Sequence, residues 1–199
     1  MGFDVYGLKP HNPKKLVKPE IDWKTKPTDE EKEKFYEELE NYEKNVPGHY
    51  FRNNVWWWRP LWTYINDNTD CLTDKQLDEG SSNSGVKISE EQSIQLALQL
   101  HKLIDEGDVK QHEEEHMLAY NLAQEHNEEL ENMRKEIHKE VVLLTGNENI
   151  APVDYPEAQK KTWDEIWARK DWAGSYPFSE KNVYEFALFC YQSGGFEIW

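Results

Sequence analysis

Residues 176–199 read YPFSEKNVYEFALFCYQSGGFEIW, and this stretch decides the fold. Ser179 stands where a helix N-cap belongs, because its hydroxyl can accept from an amide of the first turn that has no partner inside the helix. Phe178, just before it, can staple onto Val183. Val183, Phe186, Ala187 and Cys190 recur at helical spacing and mark an inward face. Gly194-Gly195 supplies the left-handed backbone that ends such a helix. The last four residues, FEIW, then read as a short strand. A lone strand leaves its backbone groups unpaired. The other strong strand candidate is residues 3–6, in MGFDVYG, so the two segments are expected to pair. The expected class is α+β, mainly α: several helices, one of them long and acidic, with a small antiparallel sheet formed by the two chain ends.

Inward from both ends the punctuation continues. Residues 8–27 hold four prolines and six lysines and read as an extended basic arm or loop. Thr28-Asp29-Glu30-Glu31 is a capping box, followed by Phe35, Tyr36, Leu39 and Tyr42 at helical spacing until Pro47-Gly48. Residues 50–66, YFRNNVWWWRPLWTYIN, form an aromatic heart. Three consecutive tryptophans cannot share one face, so some enter the core while another meets a cleft or a partner. Pro60 either starts a second helical segment or kinks the first. Residues 77–86 read as a loop. Ser89 and Gln92 form the next capping box, before Ile94, Ala97, Leu98 and Ile104, with Leu96, Leu100 and Leu103 widening that apolar face. Gly107 ends that helix. Residues 108–144 read as a long acidic helical segment, one helix or two in line. Its stripe Leu130, Met133, Ile137, Val141 and Leu144 faces a core or a second copy of the chain. Pro156 opens a last helix before the C-terminal one, carrying Trp163, Ile166 and Trp167. No internal repeat is visible, and residues 1–199 are read as one domain.

Composition restricts the function classes. The 199 residues carry 39 acidic against 23 basic side chains, a net charge of −16, and mean hydropathy is −0.96. No stretch approaches the roughly 18 apolar residues of a membrane-spanning helix. A strongly acidic surface repels a phosphate backbone, so direct nucleic-acid binding is not expected. Nine Trp, ten Tyr and seven Phe supply core material that a disordered chain lacks. Two cysteines and no leading apolar signal point to a soluble, unanchored protein of the reducing cytoplasm.

Two motifs bear on chemistry. His112-Glu113-Glu114-Glu115-His116 matches H-E-x-x-H, the helical spacing that lets two histidines reach one zinc while a glutamate activates water. The third ligand would come from Glu136, His138 or Glu140. The surrounding run of acids lacks the apolar flanks of a buried metal, and a solvated helix face is the better account. No metal, no cofactor and no catalytic residue is therefore expected, and a zinc hydrolase is a remote alternative. The second motif is Arg52, Asn53, Asn54, Trp57 and Arg59, with the polar loop around Asn83. A guanidinium forks onto phosphate, an asparagine reads an amide or base edge, and an indole offers a stacking face. These are the elements of a nucleotide pocket. The competing account is that the same groups pack against one another.

GFDVYGLKP, YFRNNVWWWRPLWTYI, SSNSGVKISEEQSIQLALQLHKLIDEGD and YPFSEKNVYEFALFCYQSGGFEIW occur in this order over about half the chain. Together they resemble a family of bacteriophage and bacterial proteins for which no catalytic residues are established. Its members carry paired Cys-x-x-Cys knuckles in the middle, where this chain has only a glutamate-rich helix, so no zinc-dependent role follows. The resemblance implies a phage origin and hence the host cytoplasm. The expected function is a non-enzymatic accessory protein that counters host antiviral defence by sequestering a nucleotide-type immune signal. The alternative is an acidic, nucleic-acid-mimicking inhibitor that binds a host defence nuclease or effector. Self-association through residues 130–144 is a further expectation.

Overall fold

The computed structural model describes residues 2–199, which divide into two compact units. The first comprises the described residues up to Glu113 together with Phe178–Trp199; the second is Glu114–Pro177.

The first unit is built on a four-stranded antiparallel sheet. Its strands are β1 (Gly2–Gly7), β2 (Tyr50–Asn54), β3 (Val86–Ile88) and β4 (Phe196–Ile198), in spatial order β2-β1-β4-β3. The two chain ends do pair: Val5 lies opposite Ile198, Tyr6 opposite Glu197 and Gly7 opposite Phe196. The sheet is wider than the sequence reading, which found neither β2 nor β3. Residues 77–86, expected as a loop, are helical as far as Gly80. They close α3 (Asp74–Gly80), whose capping box is formed by Thr73 and Gln76, and Val86 opens β3. Period-two alternation sends Phe3, Val5, Val86, Ile88, Phe196 and Ile198 to one face, where all are buried.

Three helices cover that inner face: α2 (Val55–Asn68), α4 (Glu90–Glu106) and α7 (Glu180–Gln192). In α7 the expected inward residues Val183, Phe186, Ala187 and Cys190 are all buried, and the Ser179 hydroxyl accepts from the Asn182 amide. Trp58 has no exposed surface; its ring stacks on Phe3 at 5.0 Å and Trp62 at 5.1 Å, and its Nε1 donates to the Gly80 carbonyl at 2.9 Å. Its neighbours Trp56 and Trp57 are exposed and half-buried, the split that three consecutive tryptophans require. Pro60 neither starts nor ends a segment. It lies inside α2, so the Trp56 carbonyl loses its usual helical amide donor. α4 meets α7 across a buried hydroxyl pair, with Ser93 Oγ donating to the Cys190 carbonyl at 2.7 Å and lying 3.0 Å from Ser193 Oγ. The expected capping boxes of α4 and of α1 (Asp29–Asn45) are both formed.

Beyond β1 the basic arm continues beside the end of α7: the amides of Leu8, Lys9 and His11 donate to the carbonyls of Gly195, Ser193 and Gln192. Its residues Leu16 to Glu20 then border a cleft shared with Glu38, Asn41 and Tyr42 of α1.

The second unit is an antiparallel helical return. α5 (Asp108–Thr145) is one continuous helix that enters this unit at Glu114, and α6 (Glu157–Ala168) packs back along it. The pairings run in opposite senses: Gln159 bonds Glu140, and His138 Nδ1 lies 2.5 Å from Tyr155 Oη. Farther along, Asn127 bonds Asp171, and His116 Nε2 lies 2.6 Å from the Tyr176 carbonyl oxygen. The buried side of α5 differs from the expected stripe. Leu130 and Val141 are buried and Ile137 is half-buried, but Met133 is 43% and Leu144 63% exposed. The seam instead runs Ala123, Asn127, Leu130, Arg134, His138, Val141, steps of four and three that hold one helical face. Three of its members are polar, and a reading by hydrophobicity alone is drawn off the seam toward Met133. Among the described residues, no helix is long and apolar enough to cross a membrane.

Candidate functional site

The six residues singled out in the sequence lie on or beside the sheet of the first unit, and they divide by what their side chains already do. Asn54 is the N-cap of α2; its Oδ1 accepts from the amides of Trp56 at 3.0 Å and Trp57 at 3.2 Å. Asn53 donates to Asn182 Oδ1 at 2.9 Å, and Asn182 in turn donates to the Trp57 carbonyl at 3.5 Å, which ties β2 and α2 to the start of α7. Asn83 donates to the Gly2 carbonyl at 2.9 Å and holds the loop before β3 against β1. The three asparagines therefore build the scaffold. Trp57 is half-buried. Arg52 and Arg59 present charge at the surface, and the Arg52 side chain is 67% exposed.

Arg52 owes its position to strand alternation. Phe51 points inward against Phe186 and Phe189, so Arg52 points to the outer face of the sheet. That face carries no helix of the inner layer, and the register sets its side chains in rows. Arg52 lies opposite Asp4, with Nε 3.6 Å from Oδ1. Asp4 exchanges backbone hydrogen bonds with Trp199 on its other side. Tyr50, Tyr6, Glu197 and Lys87 form the next row across all four strands. Tyr50 and Tyr6 rings lie 5.2 Å apart, and Lys87 Nζ is 3.4 Å from Glu197 Oε2. Tyr6 is 37% and Trp199 50% exposed, and the Trp199 indole lies directly over Gly85. A side chain at Gly85 would begin 2.8 Å from that ring, and its φ of +78° is itself one that L-residues avoid.

The electrostatics of the face centre on Asp4. The Tyr50 hydroxyl donates to its Oδ1, the same oxygen that Arg52 faces. Burial first, and then this bond to a carboxylate, push the Tyr50 phenol well above its ordinary range; burial and Asp4 raise Tyr6 as well. Both phenols thus stay neutral donors at any physiological pH. The outer face offers one exposed guanidinium partly compensated by Asp4, two phenols and one indole. Arg52 was legible from the sequence, whereas Asp4, Tyr6, Tyr50 and Trp199 were not singled out. The alternation of GFDVYG and FEIW was the available signal, since fixing Phe3, Val5, Phe196 and Ile198 inward turns Asp4, Tyr6 and Glu197 outward.

The H-E-x-x-H residues are engaged elsewhere. His112 packs between Tyr64 at 4.8 Å and Phe178 at 4.6 Å, and His116 bonds the Tyr176 carbonyl. Among the described residues, no three His, Cys, Asp or Glu side chains are grouped to hold a metal ion. No family model, no curated protein and no solved structure matches this chain.

Proposed function

We propose that the protein is a binding protein rather than an enzyme and that the outer face of its sheet takes a nucleotide-type ligand. The observation that carries this reading is Arg52 set on an open sheet face among Tyr6, Tyr50 and Trp199. Exposed aromatics on strands give bases a sequence-tolerant stacking platform, and a guanidinium beside them serves the phosphate. Arg52 on β2 and Tyr6 on β1 lie on neighbouring strands, within the span of one nucleotide. Small size of ligand also fits the charge: one phosphate group meets one local cation, whereas a polynucleotide would meet the whole acidic surface. With the resemblance to phage proteins, the reading becomes sequestration of a nucleotide-type immune signal in the host cytoplasm, which counters antiviral defence.

The test is calorimetric titration of signalling mononucleotides and cyclic dinucleotides into wild type and Arg52→Ala. Binding is expected in wild type, with a loss of about 1.5–3 kcal/mol in the variant, the range for hydrogen bonds to charged groups. The ligand should be recovered unmodified after denaturation. No heat with any nucleotide would remove the reading.

One observation favours a second reading. In the second unit α5 exposes Glu125, Glu128 and Glu129, none in an ion pair among the described residues. An acidic helix of this kind fits the basic groove of a host nuclease or effector. On that reading Arg52→Ala is silent, reversal of these three glutamates to lysine abolishes partner binding, and salt weakens it.

A further inference from the structure

The second unit contains a cleft lined by two cations, Arg134 and Lys170, in a chain of charge −16. Asn127, Leu130, Glu131 and Arg134 of α5 line it with Ile166, Trp167 and Lys170, around a cavity of about 100 Å³. That is room for a group of several heavy atoms.

Arg134 occupies a seam position that hydrophobic patterning would give to an aliphatic residue. Its guanidinium carbon lies 4.0 Å from the Trp163 ring centre and 4.6 Å from that of Trp167, and its side chain is 17% exposed. Nη1 donates to Glu131 at 2.9 Å, but Nε is buried with no hydrogen-bond partner. A guanidinium has five N–H donors, and leaving them unused in a desolvated place is costly. Lys170 completes the cation pair. Its Nζ lies 4.9 Å from the Trp167 and 4.5 Å from the Trp172 ring centre, and it forms no ion pair among the described residues. Two cations thus face one carboxylate.

The backbone that presents Lys170 is pinned on both sides. His126 Nε2 lies 3.1 Å from the Arg169 carbonyl oxygen, and Asn127 exchanges two hydrogen bonds with the Asp171 backbone, at 2.8 and 2.9 Å. The Asp171 carboxylate, which could have neutralised its neighbour, instead accepts from the Ala173 amide at 2.9 Å. Lys170 thus stands on a fixed backbone, and its ammonium rests against Trp167 and Trp172. Trp167, which lines the cleft, is 46% exposed, and Trp172, against the Lys170 ammonium, is 51% exposed.

We infer that this cleft is a second binding site, independent of the sheet face, and that it takes the oxoanion group of a small ligand, a carboxylate or a phosphate, on Arg134 and Lys170. The guanidinium supplies directional donors, the ammonium supplies charge, and the indoles exclude water around both.

The site is read by tryptophan fluorescence and by the indole N–H signals in proton–nitrogen NMR. Sodium phosphate and sodium acetate are titrated separately into the full chain, with chloride holding ionic strength constant. Saturable shifts are expected, and the anion that saturates at lower concentration identifies the group. Lys170→Met keeps the aliphatic stem and removes the charge; it should weaken binding about tenfold or more. Arg134→Lys, which keeps charge but loses the planar fork, should weaken it as well, while Lys34→Met, at an exposed lysine of α1 outside both sites, leaves it unchanged. If neither anion gives a saturable shift, or if Lys170→Met titrates like wild type while retaining the wild-type spectrum, the inference is overturned. A matching loss of binding in Lys34→Met would show that the shifts report net charge and would overturn the assignment to this cleft.

Discussion

His49 shows how one residue ties pH to stability. It follows the Pro47-Gly48 turn between α1 and β2, is 8% exposed, and packs edge-on against Tyr42 at 5.1 Å. Its backbone carbonyl accepts from Gly7, so the turn also registers β1. Burial, and then the nearby Lys18 charge, lower its pKa in the folded state below the ordinary 6.5. A proton therefore binds the unfolded chain more tightly than the folded one. The neutral histidine's contribution is complete above 6.5 and is lost as pH falls from there through the folded value. His49→Gln, which cannot charge, should lose less stability than wild type when urea unfolding is repeated on the acid side of that point. Parallel pH dependence in the two proteins would show that His49 is not the group responsible. The asparagines of the candidate site teach a related lesson. Asn53, Asn54 and Asn83 have the chemistry of base-reading residues, and each also spends one end of its amide on a scaffold hydrogen bond. Sequence identifies the donor and acceptor but not the partner that each meets in the fold.

Among the elements, the exit of α7 is the most constrained. Gly194 has φ +62°, and a Cβ there would fall 2.2 Å from the Lys9 carbonyl oxygen, while Gly195 has φ +88° and sits against the start of α4. Gly194→Ala should therefore cost well over the ~1 kcal/mol of an ordinary glycine replacement, because strain and collision add. Its denaturant midpoint should drop with the slope unchanged; a midpoint within error of wild type would contradict the packing described. Where punctuation of this kind exists, the sequence was readable: the capping boxes of α1 and α4, the Ser179 cap, the double glycine and the pairing of β1 with β4 all follow from it. Where it does not, the reading stopped. β2 places Tyr50 and Phe51 side by side on opposite faces, so its aromatics blur the alternation that marks a strand. β3 has only three residues, too few to establish a period. The α5 seam was misplaced because Arg134 is buried by stacking on tryptophans, a form of burial that hydropathy does not count.

At the scale of the whole molecule, charge and connectivity dominate. The ion pairs are mostly exposed pairs within single helices, each worth well under ~1 kcal/mol, so they offset little of a net −16. Self-repulsion should make the native state salt-sensitive. The melting temperature should rise as sodium chloride is increased from about 20 mM to about 0.5 M, as the Debye length shrinks. A flat or falling trend would mean that the acids are compensated locally. The sheet has a different consequence. β4 is an interior strand, hydrogen-bonded to β1 on one side and β3 on the other. During synthesis on a ribosome, residues 2–7 and 86–88 emerge long before residues 196–198, so neither β1 nor β3 meets its shared neighbour until translation has passed residue 198. Until then the nascent chain holds Trp58, Leu61, Trp62 and Ile65 beneath an unfinished sheet. A chain cut off before residue 196 would lack β4 and keep its aromatic centre open, a natural client for chaperones and proteases, so completion of this core waits on residues 196–198.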